Sequence, residues 1–263
     1  MLRQRITTAL ILFIATGGVL FMVPEPGFAI AAWFVCLIGI YELTNMYQFN
    51  KLNQIGLMLT STGLAMILYA VPYDFSQIVR IVSVIMWCFI VPGILTWRPQ
   101  KFNHSIISVF AILIFIPAFY ALVKLYWLLG PWRLVSIMAI AWIADIGAFF
   151  VGRKFGKQKL AINISPGKSV EGAIGGLIFV GMYLFILKLF NTTIYLYSIG
   201  AVFKFSMILT SVSIVGDLFE SWLKRVAKVK DSGTILPGHG GVFDRIDSLV
   251  AVLAIAFALI WVG

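Results

Sequence analysis

The sequence predicts an all-α, polytopic transmembrane fold of about nine helical spans, with the amino terminus in the cytoplasm and a polar site at the cytoplasmic side. Three observations carry this. The 263 residues are 61% hydrophobic and 11% charged, with a mean hydropathy of +1.01, so water is not the main solvent of the chain. The apolar residues gather in runs near the length that crosses hydrocarbon, about 20 residues in a helix. The basic residues alternate from loop to loop in step with those runs.

The spans are read near Ile6 to Val23, Phe28 to Met46, Ile55 to Val71, Ile78 to Thr96, Ser105 to Ala121, Trp132 to Val151, Gly172 to Phe190, Ser198 to Asp217 and Ile246 to Val262. Hydrocarbon offers no hydrogen-bond partner, so each must satisfy its own backbone, which a helix does. The breaks Pro24-Glu25-Pro26-Gly27, Pro72-Tyr73-Asp74, Trp97-Arg98-Pro99 and Gly130-Pro131-Trp132 carry turn or interfacial residues, and no soluble domain fits between the spans. Arg3 and Arg5 before the first run, with Gly27-Phe28-Ala29 after it, raise a cleaved signal peptide. The run is longer than a signal core and eight more follow, so it is read as a span. Cys36 and Cys88 lie within apolar spans, without CxxC spacing or a nearby histidine, and read as plain core residues.

With the amino terminus inside, fifteen of the twenty basic residues fall on inside loops; Arg80, Lys124, Arg133, Lys188 and Lys204 lie toward the other face. An odd span count then puts Gly263 outside. The net charge of +10 forms no soluble basic patch with interleaved aromatics, which excludes a nucleic-acid partner. Eight of the ten carboxylates (Glu42, Asp145, Glu171, Asp217, Glu220, Asp231, Asp244 and Asp247) also gather in or beside the cytoplasmic half. The positive-inside rule makes no demand on acids, so a polar site explains them better than topology does.

The stretch from Ser211 to Asp247, SVSIVGDLFESWLKRVAKVKDSGTILPGHGGVFDRID, has three parts. Asp217, Ser221, Lys224, Arg225 and Lys228 recur at spacings of three and four, sharing one face of a helix that leaves the membrane. Asp217 ends an apolar run, where an ionised side chain costs about 2.5 to 3.5 kcal/mol at mid-membrane depth and less near the interface. A partner is required, and Ser221 or Lys224 is the plain structural choice. Next, Lys230-Asp231-Ser232-Gly233 through Leu236-Pro237-Gly238-His239-Gly240-Gly241 cannot continue a helix. Such a loop presents backbone N–H groups to phosphate oxygens, with Lys230 and His239 as further donors. Last, Asp244, Arg245 and Asp247 open the final span, with the two acids at i and i+3. One acid there is an ordinary helix cap; two, facing Asp217, suit a cation better. Oxygen-only ligands beside a phosphate loop favour Mg2+ over zinc.

A second cluster, DIGAFFVGRKFGKQKLAINISPGKSVEG, runs from Asp145 to Gly172. Asp145 lies in the inner half of a span, and Arg153, Lys154, Lys157, Lys159 and Lys168 follow on a loop closed by Glu171. Headgroup attraction, about 1 kcal/mol per basic residue, accounts for the loop alone. An intramembrane acid opposite it points to a substrate pocket.

From Ser221 to Asp247, the motifs S-W-L-K-R, K-D-S-G and L-P-G-H-G-G-V-F-D-R-I-D resemble the signature of the phosphatidate cytidylyltransferase family, also called CDP-diacylglycerol synthase, across all 27 positions. D-I-G-A-F-F-V-G-R-K-F-G-K, I-S-P-G-K-S-V-E-G and the opening M-L-R-Q-R-I are similar to that family as well. One departure is visible: many relatives carry Pro-Lys-Lys where this chain has Pro166-Gly167-Lys168. The resemblance implies transfer of a cytidylyl group from CTP to phosphatidic acid, with release of pyrophosphate. It also implies a divalent metal, usually Mg2+, held by Asp217 and Asp244, one or two ions being allowed and a monovalent companion left open. Lys224 and Arg225 join those two as expected catalytic residues. Expected substrate contacts are Asp145, Arg153, Ser165, Lys168, Glu171, Ser221, Lys230, Asp231, His239, Arg245 and Asp247.

On this reading residues 1–130 form an amino-terminal transmembrane region, mainly structural and lipid-facing, and 131–263 a catalytic region with two cytoplasmic substrate loops. The partners are CTP, phosphatidic acid and membrane lipid, with a homodimer left open. The expected location is the cytoplasmic (inner) membrane of a bacterium, the site facing the cytoplasm. A transporter is the weaker reading, because no internal repeat is found and the polar residues crowd one face. A CTP-using lipid kinase would release CDP instead of pyrophosphate, and a membrane scaffold would not need the acids.

Overall fold

The computed structural model describes residues 2–71, 74–192, 195–196 and 198–260, with side chains from residue 6 onward. Helices follow in the order α1 Leu2–Met22, α2 Glu25–Met46, α3 Lys51–Ala70 and α4 Ser76–Val84. A π-helical turn, Ile85–Ile90, joins α4 to α5 Val91–Trp97 as one continuous rod. Then come α6 His104–Leu129, α7 Pro131–Phe155, strands β1 Lys159–Ala161 and β2 Ser165–Ser169, α8 Val170–Leu189, α9 Ile199–Val226 and α10 Phe243–Leu259.

The helix starts are legible in local chemistry. Asn50, Asn103, Ser169 and Ser198 precede α3, α6, α8 and α9, and each side chain accepts a first-turn N–H at 2.8 to 3.1 Å. Gly130 takes φ +77° between α6 and α7, a turn that a side chain would resist.

Among the described residues seven helical rods are long and apolar enough to cross a membrane, so this is an integral membrane protein. They are α2, α3, the α4–α5 rod and α6 to α9. Every expected span meets a helix among the described residues, but the apolar part of α1, Ile6–Met22, and the 17-residue α10 fall short of that length. The fifth span also runs on to Leu129 rather than ending at Ala121, because no helix breaker intervenes before Gly130. The Pro72-Tyr73 break, the Arg3 and Arg5 side chains, Trp261, Val262 and Gly263 lie outside what is described.

The bundle is the expected all-α membrane fold, with one addition: the loop after α7 carries a short hairpin. β1 and β2 pair antiparallel, Lys159 opposite Ser169 and Ala161 opposite Ser165, with an irregular register between. Lys228 is a correction: α9 ends at Val226 and Lys228 takes φ +59°, so it does not share the face of Asp217.

The centre of the bundle is α10. From Val250 to Phe257 every side chain is buried, as expected of a helix that is apolar all round. It packs against α9, α6, α4, α7 and α2. Alongside it, α7 and α8 approach backbone to backbone: a β-carbon at Gly176 would lie 2.8 Å from the Ala144 carbonyl oxygen, and one at Gly172 would lie 2.9 Å from that of Ala148. This close pairing holds the α7 acid and the β-hairpin against α9.

Candidate active site

Acids and cations from four elements meet at the end of the bundle that carries the hairpin. Lys168, on β2, pairs with Asp217 of α9 at 2.5 Å. Ser221, one turn along α9, donates to the other Asp217 oxygen at 3.3 Å. Asp145 of α7 and Asp247 of α10 lie within electrostatic reach of both Lys168 and Asp217. Gly216 permits this, because a β-carbon there would lie 2.8 Å from the Asp247 carbonyl oxygen. Three carboxylates thus surround one ammonium, a surplus of negative charge that favours binding a further cation.

A second nest lies beside the first. Lys224 pairs at 2.6 Å with Glu220 and at 2.6 Å with Asp244. The second Asp244 oxygen accepts the backbone N–H of Ser232 at 2.9 Å and of Gly241 at 2.8 Å, and the Ser232 hydroxyl at 3.0 Å. Ser232 also reaches Glu42 of α2, whose carboxylate accepts the N–H groups of Val242 and Phe243 at 2.9 and 2.8 Å.

Asp217 and Asp244 therefore do not face each other as a simple pair. Each is held by a different lysine. Helix geometry is the reason: Asp244 sits in the first turn of α10, drawn to the loop donors, while Asp247, three residues on, turns to Asp217. Among the described residues no group of three or more His, Cys, Asp or Glu side chains is arranged to hold a metal. The donor chemistry nonetheless suits a hard divalent ion, since the surplus carboxylates around Lys168 offer oxygen only.

Other expected site residues serve the frame. Arg225 donates to the Ile164 carbonyl at 3.3 Å, tying the hairpin to α9. Glu171 accepts the Gln158 N–H at 3.1 and 3.2 Å and closes the same hairpin. Arg245 grips the His239 carbonyl with Nε at 3.1 Å and Nη2 at 2.7 Å, while buried Nδ1 of His239 has no hydrogen-bond partner among the described residues. Gly238 and Gly240, at φ +74° and +84°, form the tight turn around it. Ser165 is half-buried at the start of β2; Arg153, Lys230 and Asp231 are exposed, with Arg153 over the Phe149 ring. A cavity of about 340 Å³ opens between α2 and the loop, lined by Tyr41, Asn45, Gln48, Asp231 and Thr234 among others.

Glu42, Glu220 and Ser232 also lie in the candidate site; the sequence reading counted the two acids at the cytoplasmic side but gave none of the three a role of its own. Glu42 carried a signal all the same: it is an acid inside an apolar span, where an ionised group needs a reason.

The cytidylyltransferase family model matches residues 3–262. The chain belongs to that family. A Pseudomonas aeruginosa protein named phosphatidate cytidylyltransferase is 36% identical over 269 residues, covering 99% of this chain and 97% of its own. A Haemophilus influenzae protein of the same name is 35% identical with 96% of each chain covered, and one from Staphylococcus haemolyticus is 34% identical over 84% of this chain and 85% of its own. In this cytidylyltransferase the two lysine-centred nests lie inside the stretches that the family model spans.

Proposed function

We propose that this protein makes CDP-diacylglycerol, transferring the cytidylyl group of CTP to the phosphate of phosphatidic acid in phospholipid biosynthesis. The observation that carries this is the Asp145, Lys168, Asp217 and Asp247 nest, three carboxylates around one lysine at one end of a membrane bundle, in a chain of the cytidylyltransferase family. Phosphatidic acid offers an oxygen already anionic at neutral pH, so no side-chain base is needed to activate it. That oxygen attacks the α-phosphorus of CTP, the bond to the bridging oxygen of the β-phosphate breaks, and pyrophosphate leaves with the electron pair. The protein's task is to bring two anions together and to offset charge on the leaving group.

A divalent ion, Mg2+, would supply charge neutralisation when bound, with Asp217 and Asp244 as the proposed ligands and Asp247 beside Asp217. Lys168 orients a phosphate oxygen at the mouth of the open nest. Lys224 neutralises the pyrophosphate side, with His239 and Lys230 on the glycine loop as further donors. Arg225 acts by fixing the hairpin that presents Lys168, and exposed Arg153 meets the lipid headgroup. With nine spans and the amino terminus inside, the site faces the cytoplasm, where CTP is dissolved and the lipid phosphate lies at the leaflet surface.

The test is incubation of purified protein with radiolabelled CTP, phosphatidic acid and Mg2+, with and without chelator. Labelled lipid and unlabelled pyrophosphate are expected in the presence of metal only. CDP with a phosphorylated lipid would make it a kinase instead, and undiminished turnover in chelator would remove the metal.

A further inference from the structure

Glu42 lies on α2, far from the signature in sequence, and only 1% of it is exposed. A buried carboxylate must be fully compensated or it destabilises the fold. Every hydrogen bond it accepts comes from the catalytic loop and the start of α10: the Val242 N–H at 2.9 Å, the Phe243 N–H at 2.8 Å and the Ser232 hydroxyl at 3.0 Å. Val242, the residue before α10, offers no side-chain cap, and from the loop the Ser232 hydroxyl accepts the Asp244 N–H at 3.3 Å. The first N–H groups of α10, which carry the positive end of the helix dipole, are taken up by an acid about two hundred residues earlier.

The loop is shaped to lie flat on this carboxylate. A β-carbon at Gly233 would meet Glu42 Oε1 at 2.6 Å, and one at Gly241 would meet Oε2 at 2.5 Å. The Ser232 hydroxyl oxygen stands between Glu42 and Asp244, 3.0 Å from a carboxylate oxygen of each, so its single proton is shared between them. Asp244 in turn holds Lys224. The rest of α2 packs through apolar side chains such as Phe28, Ala32, Cys36, Ile40 and Leu43, which do not depend on the charge of Glu42.

We infer that Glu42 is a positioning residue for cytidylyl transfer: it locks the glycine loop and the first turn of α10, and so sets where Asp244, Lys224 and Asp247 stand. This rests on the catalytic placement of Asp244 and Lys224. Glu42→Gln keeps the shape but turns an NH2 group toward N–H donors, so the lock is lost while the apolar packing remains.

The experiment compares Glu42→Gln, Ser232→Ala, the double variant and Asp244→Asn, purified in detergent. Turnover, KM for each substrate and hydrogen exchange are measured. For Glu42→Gln, kcat falls by about 10²-fold with both KM values close to those of the parent, as a misplaced group predicts. Exchange quickens across residues 229–247 and not in α6. Ser232→Ala shows a smaller fall in kcat, and the double variant falls short of the sum of the two single effects, because the Ser232–Glu42 bond is common to both. Parental kcat in Glu42→Gln beside an inactive Asp244→Asn overturns the inference alone; an active Asp244→Asn overturns the catalytic reading and the inference with it. Quickened exchange throughout the bundle, with parental kcat in Ser232→Ala, makes Glu42 a plain stability residue and also overturns it.

Discussion

Lys168 and Lys224 each sit among carboxylates, and the difference between their nests is access. Around Lys168 the paired side chains retain 23% and 26% of their exposure, and the lysine arrives on a hairpin outside the bundle. Around Lys224 the corresponding values are 14%, 1% for Glu220 and 6% for Asp244, with donors from the loop completing the shell. The Lys168 nitrogen is itself buried, so the access at this nest runs along the lysine stem and the Asp217 side chain. A closed nest is committed to the fold, because breaking a buried pair strands its partner. The Lys168 nest is therefore the more accessible of the two, and the Lys224 nest the more tightly tied to the fold.

Several measurements can break or sharpen that division. The largest expected effect is on turnover: Asp217→Asn and Asp244→Asn each lower kcat at least about a hundredfold, as loss of charge stabilisation predicts. Asp217→Asn leaves the unfolding temperature in detergent near that of the parent, while Asp244→Asn lowers it; equal unfolding temperatures would erase the distinction. Next, Lys224→Met destabilises by about 3 to 5 kcal/mol, the usual result of stranding buried charge, whereas Lys168→Met remains folded and loses turnover. Thermal unfolding beside a rate assay separates the two. Removing divalent metal with a chelator stops turnover and leaves the Lys224 nest intact, visible as unchanged hydrogen exchange in residues 231–244. The smallest effect belongs to Arg225→Lys, which gives up the bond to the Ile164 carbonyl and with it about 0.5 to 1.5 kcal/mol. A rise of a few-fold in KM with kcat retained is expected.

Much of this was legible before any coordinates. The apolar runs placed the rods to within a few residues except where α6 runs on to Leu129 and α9 to Val226. Asp217, Asp244 and Asp247 stood out because acids at the edge of hydrocarbon need a reason. Which acid meets which lysine was not legible. Spacing shows that Asp244 and Asp247 share a face of α10, but the partner of each depends on where the loop donors and α9 fall around it. Lys168 is 49 positions from Asp217, and Glu42 is 200 from Val242, separations over which local periodicity carries no information. The hairpin was hidden for another reason: residues 159–169 lack the alternating pattern of a half-buried strand, and short pairing closed by Glu171 leaves little trace in composition.

The buried position of α10 bears on biogenesis. Each of its walls, α2, α4, α6, α7 and α9, is synthesised first, so the ribosome delivers the innermost rod after its surroundings have already entered the bilayer. Until that rod docks, Asp217 and Lys224 have neither Asp247 nor Asp244 beside them, so both nests are completed only when the last rod enters.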